Sequence, residues 1–212
     1  METRAGAPGG AGDTHGGQVT GLLLAAGGGR RLGGRPKALL EYGGRPLVEH
    51  AVAALRAGGC ARVHVVLGAA ATAVRERADL AGCVIVENPA WATGMGSSLR
   101  AGLASLEDVG AGAALVCLVD QPGIGAAAVA RLHAAYRGPG TLAAAGYAGR
   151  RGHPVLFGAA HWAGVAAGAA GDQGARSYLA MHAGGLALVE CGDIAEPHDI
   201  DTPDDLWRLG GG

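Results

Sequence analysis

Apolar positions along the chain fall into short runs separated by stretches of helical spacing, the alternation expected of a sheet covered by helices on both faces. Val19–Ala25 (VTGLLLA) is a continuous apolar run ending in glycines and predicts a buried strand. A helix is predicted over Arg45–Leu55, with Pro46 in its first turn, Val48, Val52 and Leu55 on one face, and Gly58-Gly59 as its stop. Arg62–Leu67 (RVHVVL) and Val84–Glu87 predict strands on either side of a helix over Ala69–Leu80. A loop over Asn88–Gly96 leads into a helix from Ser97 to Leu106, and Leu115–Val119 is a strand that ends at Asp120-Gln121-Pro122. Ala126–Tyr136 reads as a helix, and Leu142–Tyr147 and Pro154–Phe157 read as strands. Helices near Ala159–Ala167 and Ala175–His182 flank a polar loop, Gly171–Gly174. Leu186–Glu190 is the last strand, and Thr202 is placed to cap a terminal helix over Pro203–Leu209. The pattern therefore predicts an α/β fold in which ligands collect at the carboxyl ends of strands, where the loops after Ala25, Glu87 and Val119 meet.

Composition narrows the function. With 17 Lys+Arg against 18 Asp+Glu and 4% aromatic residues, the chain lacks the basic, aromatic-rich surface that a nucleic-acid partner needs. Its 41 glycines show no collagen period and 49% of the 212 residues are hydrophobic, enough for one folded domain over 19–212 behind a flexible polar tail, residues 1–18. No apolar run is long enough to span a bilayer, and residues 1–18 lack the hydrophobic stretch of a secretory signal. Four cysteines without a CxxC pair read as reduced thiols, which fits a cytoplasmic enzyme.

The candidate chemistry begins at Leu24–Lys37. Gly27, Gly28 and Gly29 allow backbone N–H groups to approach an anion, and Arg30, Arg31, Arg35 and Lys37 bring positive charge. Lys37 is the chain's one lysine. Pro36 and Ala38 flank it, so this is no Walker A loop, and Leu32 stands where a dinucleotide fingerprint needs its third glycine. Asp120 directly follows an apolar strand, a poor place for a charge unless it is paired, and its hard oxygens suit a Mg²⁺ that also takes phosphate oxygens. Asp199 and Asp201 lie two apart and share a face of an extended segment, so one of them completes the metal site or orients substrate. Asp201 is preferred for the metal. The remaining histidines show no ligand spacing, and the serines have no paired His/Asp context.

Leu24–Lys37 is similar to the L-A-A-G-x-x-x-R-[ML]-G-x-x-K signature of MobA-like nucleotidyltransferases, with Arg31 and Lys37 on its basic positions. Further matching stretches are Asn88-Pro89-x-Trp91-x-x-Gly94-Met95-x-Ser97-Ser98-Leu99, Asp120-Gln121-Pro122, Gly152-His153-Pro154-Val155-Leu156-Phe157, Gly171-Asp172-x-Gly174-Ala175-Arg176 and Asp199-Ile200-Asp201-Thr202-Pro203. Within that class the chain resembles MocA-type molybdenum cofactor cytidylyltransferases from Val19 to Leu209. The resemblance implies a Rossmann-like, GT-A-type fold with a mostly parallel mixed sheet, and transfer of CMP from CTP to the terminal phosphate of molybdopterin with release of pyrophosphate. It implies Mg²⁺, with Mn²⁺ able to replace it, held by Asp120 and Asp201, and Lys37 and Arg31 as catalytic charges. Leu24, Ala25, Ala26, Gly27, Gly28, Gly29 and Arg30 would line the nucleotide, with Asn88, Gly94 and Ser97 or Ser98 around base and ribose.

The methyl of Ala26 is expected to crowd a purine, where guanylyl-transferring relatives usually carry glycine. Trp91 reads equally as a packing residue. His153, Asp172, Arg176 and Asp199 are the candidate acceptor-site residues, and His153 reads equally as a structural histidine. Guanylyl transfer to the same acceptor, nucleotidyl transfer to a sugar or isoprenoid phosphate, and a non-enzymatic cofactor carrier are the alternatives. A transient contact with a molybdoenzyme or its maturation factor accompanies the cofactor readings, and no nucleic-acid or membrane partner is expected.

Overall fold

In a computed structural model, which describes residues 17–210, Val19–Ala25 forms β1, buried at each position. Its apolar run serves two cores at once: Leu23 and Ala25 enter one, Leu22 and Leu24 the other, as the alternation of a strand requires. A glycine-rich loop follows, then a small hairpin of β2 (Glu41–Tyr42) and β3 (Arg45–Pro46), and α1 (Leu47–Ala57). The chain continues through β4 (Val63–Leu67), α2 (Ala71–Arg77), β5 (Val84–Glu87), α3 (Met95–Glu107), β6 (Ala113–Leu118) and α4 (Ala126–His133). It ends with β7 (Leu142–Tyr147), β8 (Arg150–Gly158), α5 (Trp162–Gly168), α6 (Arg176–Met181), β9 (Ala187–Glu190) and a 3-10 segment over Pro203–Leu209.

Seven strands make one sheet in the order β5-β4-β1-β6-β8-β7-β9. β5, β4, β1 and β6 run parallel, β8 is inserted antiparallel between β6 and β7, and β9 is parallel to β7. Residues of α1 and α4 pack on one face with Leu23, Val65 and Leu115, and residues of α3, α5 and α6 pack on the other with Leu22, Val66 and Val116. The sheet is therefore covered on both sides, and the carboxyl ends of β1, β4, β5 and β6 open onto the same edge. All four cysteines are free thiols, and among the described residues no helix is long and apolar enough to cross a membrane.

The differences from the sequence pattern have local causes. The helix expected from Arg45 begins at Leu47, because Arg45-Pro46 pairs with Glu41-Tyr42 across Gly43-Gly44, whose φ angles of 55° and 75° form a tight hairpin turn. α2 is confined to Ala71–Arg77, α3 starts two residues early at Met95, and α4 stops at His133. The helix expected over Ala159–Ala167 divides into a 3-10 turn, Ala159–His161, and α5. Pro203–Leu209 is wound as 3-10 rather than α, with the Asp205 carboxylate accepting from the N–H and hydroxyl of Thr202, both at 2.8 Å. Of the expected tail, residues 1–16 lie outside the described residues.

α1 and α4 meet closely at Gly58, where a Cβ would lie 2.5 Å from Val129 Cβ and 3.0 Å from the Ala130 nitrogen. Carbon atoms pack at about 3.5–4.0 Å, so a methyl there forces the helices apart. Gly58→Ala is expected to cost about 1–3 kcal/mol, read as a lower urea midpoint. An unchanged midpoint would show that this contact does not set the helix spacing.

Candidate active site

The loop after β1 turns at Gly29, which has φ 58° and lies so close to the Arg35 carbonyl that no Cβ fits. The turn is fixed by Leu32 and Gly34, whose N–H groups both donate to the Gly29 carbonyl, at 2.8 and 3.0 Å, and by the buried Leu32 side chain. It leaves Gly27, Arg30 and Arg31 exposed and returns the chain over the sheet edge, so that Lys37 opens a short 3-10 turn, Lys37–Leu39, beneath it. Leu24 and Ala25 remain within β1 with their side chains in the two cores. Any contact they make with a ligand is through the backbone.

Lys37 reaches two carboxylates that enter from different loops. Its Nζ donates to Asp120 Oδ2 at 2.6 Å, where the chain leaves β6, and also to Asp201 Oδ1. Arg31 approaches the other oxygen of Asp201 at 3.5 Å from an exposed position. Desolvation alone would lower the Lys37 pKa, but the attraction of Asp120 and the hydrogen bonds to both carboxylates outweigh it and hold the ammonium above its usual range. Burial pushes the Asp120 carboxyl upward, opposed by Lys37. The segment carrying Asp201 is tied to Asp120 by the Ile200 N–H, which donates to the Asp120 carbonyl at 2.8 Å. Asp199, two residues earlier, does not join the ammonium and instead accepts from Gln121 Nε2 at 2.7 Å. Asp120 and Asp201 converge on the point that the Lys37 ammonium holds in this structure, and their hard oxygens fit a Mg²⁺ or Mn²⁺ that completes its shell with phosphate and water when the ammonium turns to the phosphates. Among the described residues no group of three or more His, Cys, Asp or Glu side chains forms a fuller cation cage.

The loop after β5 is shaped from within. Asn88 Nδ2 donates to Ser97 Oγ at 2.8 Å and Ser98 Oγ at 3.0 Å, its Oδ1 accepts from the Ala90 N–H, and Ser97 Oγ donates to the carbonyls of Ala90 and Gly94. All three side chains are buried. Ser97 or Ser98 is expected at a pyrimidine edge; here Ser97 Oγ both accepts from Asn88 and donates within the loop, and Ser98 Oγ accepts from Asn88. Trp91 lies over Gly28, where a Cβ would come within 3.1 Å of the indole. The Ala26 methyl expected to crowd a purine is buried, packed in the core near Gly68. It does not wall an open cleft.

The candidate acceptor residues reach the same edge from the other side. Pairing of β7 with β8 skips His153 and Pro154 at a bulge, which turns His153 out of the ladder. Burial, then the charges of Arg176 and Arg151, pull the His153 pKa down to about 4. Asp172 occupies a 3-10 turn, Gly171–Gln173, packed on Gly94, whose φ of 110° and lack of a Cβ let the turn approach. The loop after β5 and the Gly171–Gln173 turn are thereby in direct contact.

Residues 21–186 match the MobA-like NTP transferase domain. The chain belongs to the MobA-like NTP transferases. It is an enzyme of the nucleotidyltransferase type. A relative named nicotine blue oxidoreductase, from Paenarthrobacter nicotinovorans, is 44% identical over 205 residues, covering 93% of this chain and 99% of that protein. The structure of Rv0371c from Mycobacterium tuberculosis H37Rv in complex with manganese shares 30% identity over 91% of this chain and 97% of that one, with a TM-score of 0.70. The 2-C-methyl-D-erythritol 4-phosphate cytidylyltransferase of Thermus thermophilus shares 28% identity over 91% of this chain and 97% of that one, with a TM-score of 0.61.

Within this MobA-like framework one residue given no role from sequence stands beside the carboxylates. Gln121 is 8% exposed and bonded to Asp199. A polar residue held between an apolar strand with its terminal Asp and a proline was the available signal.

The lowered His153 pKa makes stability pH-dependent. The unfolded chain takes up a proton near 6.5 while the folded state resists to about 4, so stability falls as pH drops through that window and is level above it. Urea denaturation is expected to show wild type losing about 1–3 kcal/mol more than His153→Gln between pH 6.5 and 4. Equal losses would mean His153 is no less basic in the folded state.

Proposed function

We propose that the chain transfers CMP from CTP to the terminal phosphate of molybdopterin, releasing pyrophosphate and forming molybdopterin cytosine dinucleotide. The observation that carries this reading is the Lys37 ammonium held between Asp120 and Asp201 below an open glycine turn. An acceptor phosphate oxygen attacks the α-phosphorus, the bond to the bridging β-phosphate oxygen breaks, and pyrophosphate leaves with its electron pair. The acceptor is ionised at neutral pH, so no general base is needed. Catalysis is in-line positioning with neutralisation of charge by Lys37 and Arg31. Mg²⁺ held by Asp120 and Asp201 would polarise the phosphoryl oxygens. The backbone of Gly27, Gly28 and Gly29, with Arg30, would hold the triphosphate. Asn88, Gly94, Ser97 and Ser98 would shape the base and ribose pocket. His153, Asp172 and Arg176 would line the acceptor, with Arg176 suited to a bidentate grip on its phosphate.

CTP is supported by the likeness to a cytidylyltransferase over most of both chains, and a divalent ion by the relative solved with manganese. We place the reaction in the cytoplasm, where four unpaired thiols suit a reducing compartment.

The 44% identity to nicotine blue oxidoreductase favours a second reading. The same cleft would then pass a hydride from a bound donor to a dye of that kind, the donor leaving oxidised, and no pyrophosphate would form. Both readings are tested on one preparation by pyrophosphate release from CTP or GTP with Mg²⁺ and molybdopterin, and by oxidation of reduced nicotinamide nucleotide with nicotine blue. The expected result is release with CTP alone. Release only with GTP would establish guanylyl transfer, CTP binding without release a carrier, and dye reduction alone the oxidoreductase. Lys37→Ala and Asp120→Asn are expected to lower kcat on the order of 10²–10³, and Lys37→Arg to impair turnover while keeping the charge, because a planar fork cannot take the place of a compact ammonium. Turnover like wild type in Asp120→Asn would remove this residue from the mechanism.

A further inference from the structure

Gln121 uses half of its amide. Nε2 donates to Asp199 Oδ1, whereas Oε1 is buried without a partner among the described residues. A buried carbonyl oxygen left unpaired is a cost to stability, one that an apolar side chain of the same length would avoid. Packing therefore does not account for an amide here, and the bond to Asp199 does. Asp199 and Asp201 flank Ile200, whose side chain is fully buried and whose N–H is fixed on the Asp120 carbonyl. Two carboxylates thus leave a common anchor beside Asp120, and different partners claim them: Gln121 takes the first and Lys37 the second.

We propose that Gln121 is a positioning residue whose amide N–H holds Asp199 aside, so that Asp120 and Asp201 alone face the divalent ion. The inference rests on the reading of those two aspartates as the metal pair. A third carboxylate at the ion would strengthen its binding before nucleotide arrives and occupy a ligand position that phosphate oxygens need.

The test is binding of Mn²⁺ without nucleotide, read from the electron paramagnetic resonance of the free ion, alongside the thermal midpoint. Gln121→Met is expected to bind Mn²⁺ on the order of tenfold more tightly, with an unchanged or raised midpoint and reduced turnover. Adding Asp199→Asn to it should restore the wild-type Mn²⁺ affinity, a rescue that a merely structural glutamine would not show. Asp199→Asn alone, at an exposed position, should leave Mn²⁺ affinity unchanged. Wild-type affinity in Gln121→Met, a gain that Asp199→Asn fails to reverse, or a loss of Mn²⁺ in Asp199→Asn alone would each overturn the proposal. Binding by Asp120→Asn equal to that of wild type would instead sink the underlying metal reading.

Discussion

An ammonium shared by two carboxylates joins three loops that the sheet brings to one edge but does not itself connect. Lys37 is 83 residues from Asp120 and 164 from Asp201 in sequence, and each would carry an ill-compensated charge at a half-buried site without the others. A lysine suits this position because a small ammonium accepts carboxylates from different directions, whereas a guanidinium is matched to one planar partner. The rest of the cleft is arranged around that point. The glycine turn places Lys37, the end of β6 places Asp120, and the Ile200 N–H places Asp201.

The walls of the cleft are built from close backbone approach more than from large side chains. The Gly171–Gln173 turn sits against Gly94, Trp91 covers Gly28, and the Gly123 carbonyl accepts from the Glu196 N–H. This couples the proposed nucleotide and acceptor sides without an interlocking set of aromatics, consistent with a chain that has 4% aromatic residues. It also explains why Asn88, Ser97 and Ser98 are inward-facing: they hold the loop whose backbone forms one wall.

Val19–Ala25 and Leu142–Tyr147 were legible to the residue, because apolar runs bounded by turn-forming residues report burial directly, and Val84–Glu87 was legible from its β-branched residues although it is a largely exposed edge strand. Lys37, Asp120 and Asp201 were legible as candidates because a charge beside an apolar strand or within a glycine loop needs a partner. Which partner was not. The choice between Asp199 and Asp201 depends on the Gln121 amide and the Ile200 anchor, contacts between segments some 80 residues apart. The hairpin at Glu41–Pro46 was hidden because Pro46 signals a helix start as readily as an edge strand, and the insertion of β8 between β6 and β7 is a pairing choice that periodicity does not encode. The direction of the Ala26 methyl is hidden for a related reason: a residue at a strand end has two directions available, and here its methyl joins the core.

Because Lys37 is the chain's one lysine, protein labelled with ¹⁵N-lysine gives a single side-chain nitrogen signal, and its titration and response to Mg²⁺ with CTP report directly on the shared ammonium. The expected result is an ammonium with a pKa above the ordinary 10.5, protected from exchange in the free protein, that shifts when Mg²⁺ and CTP are added together and loses its protection in Asp120→Asn. A signal resembling free lysine, unmoved by Mg²⁺ and CTP and unchanged in Asp120→Asn, would contradict the central role given to this ion pair.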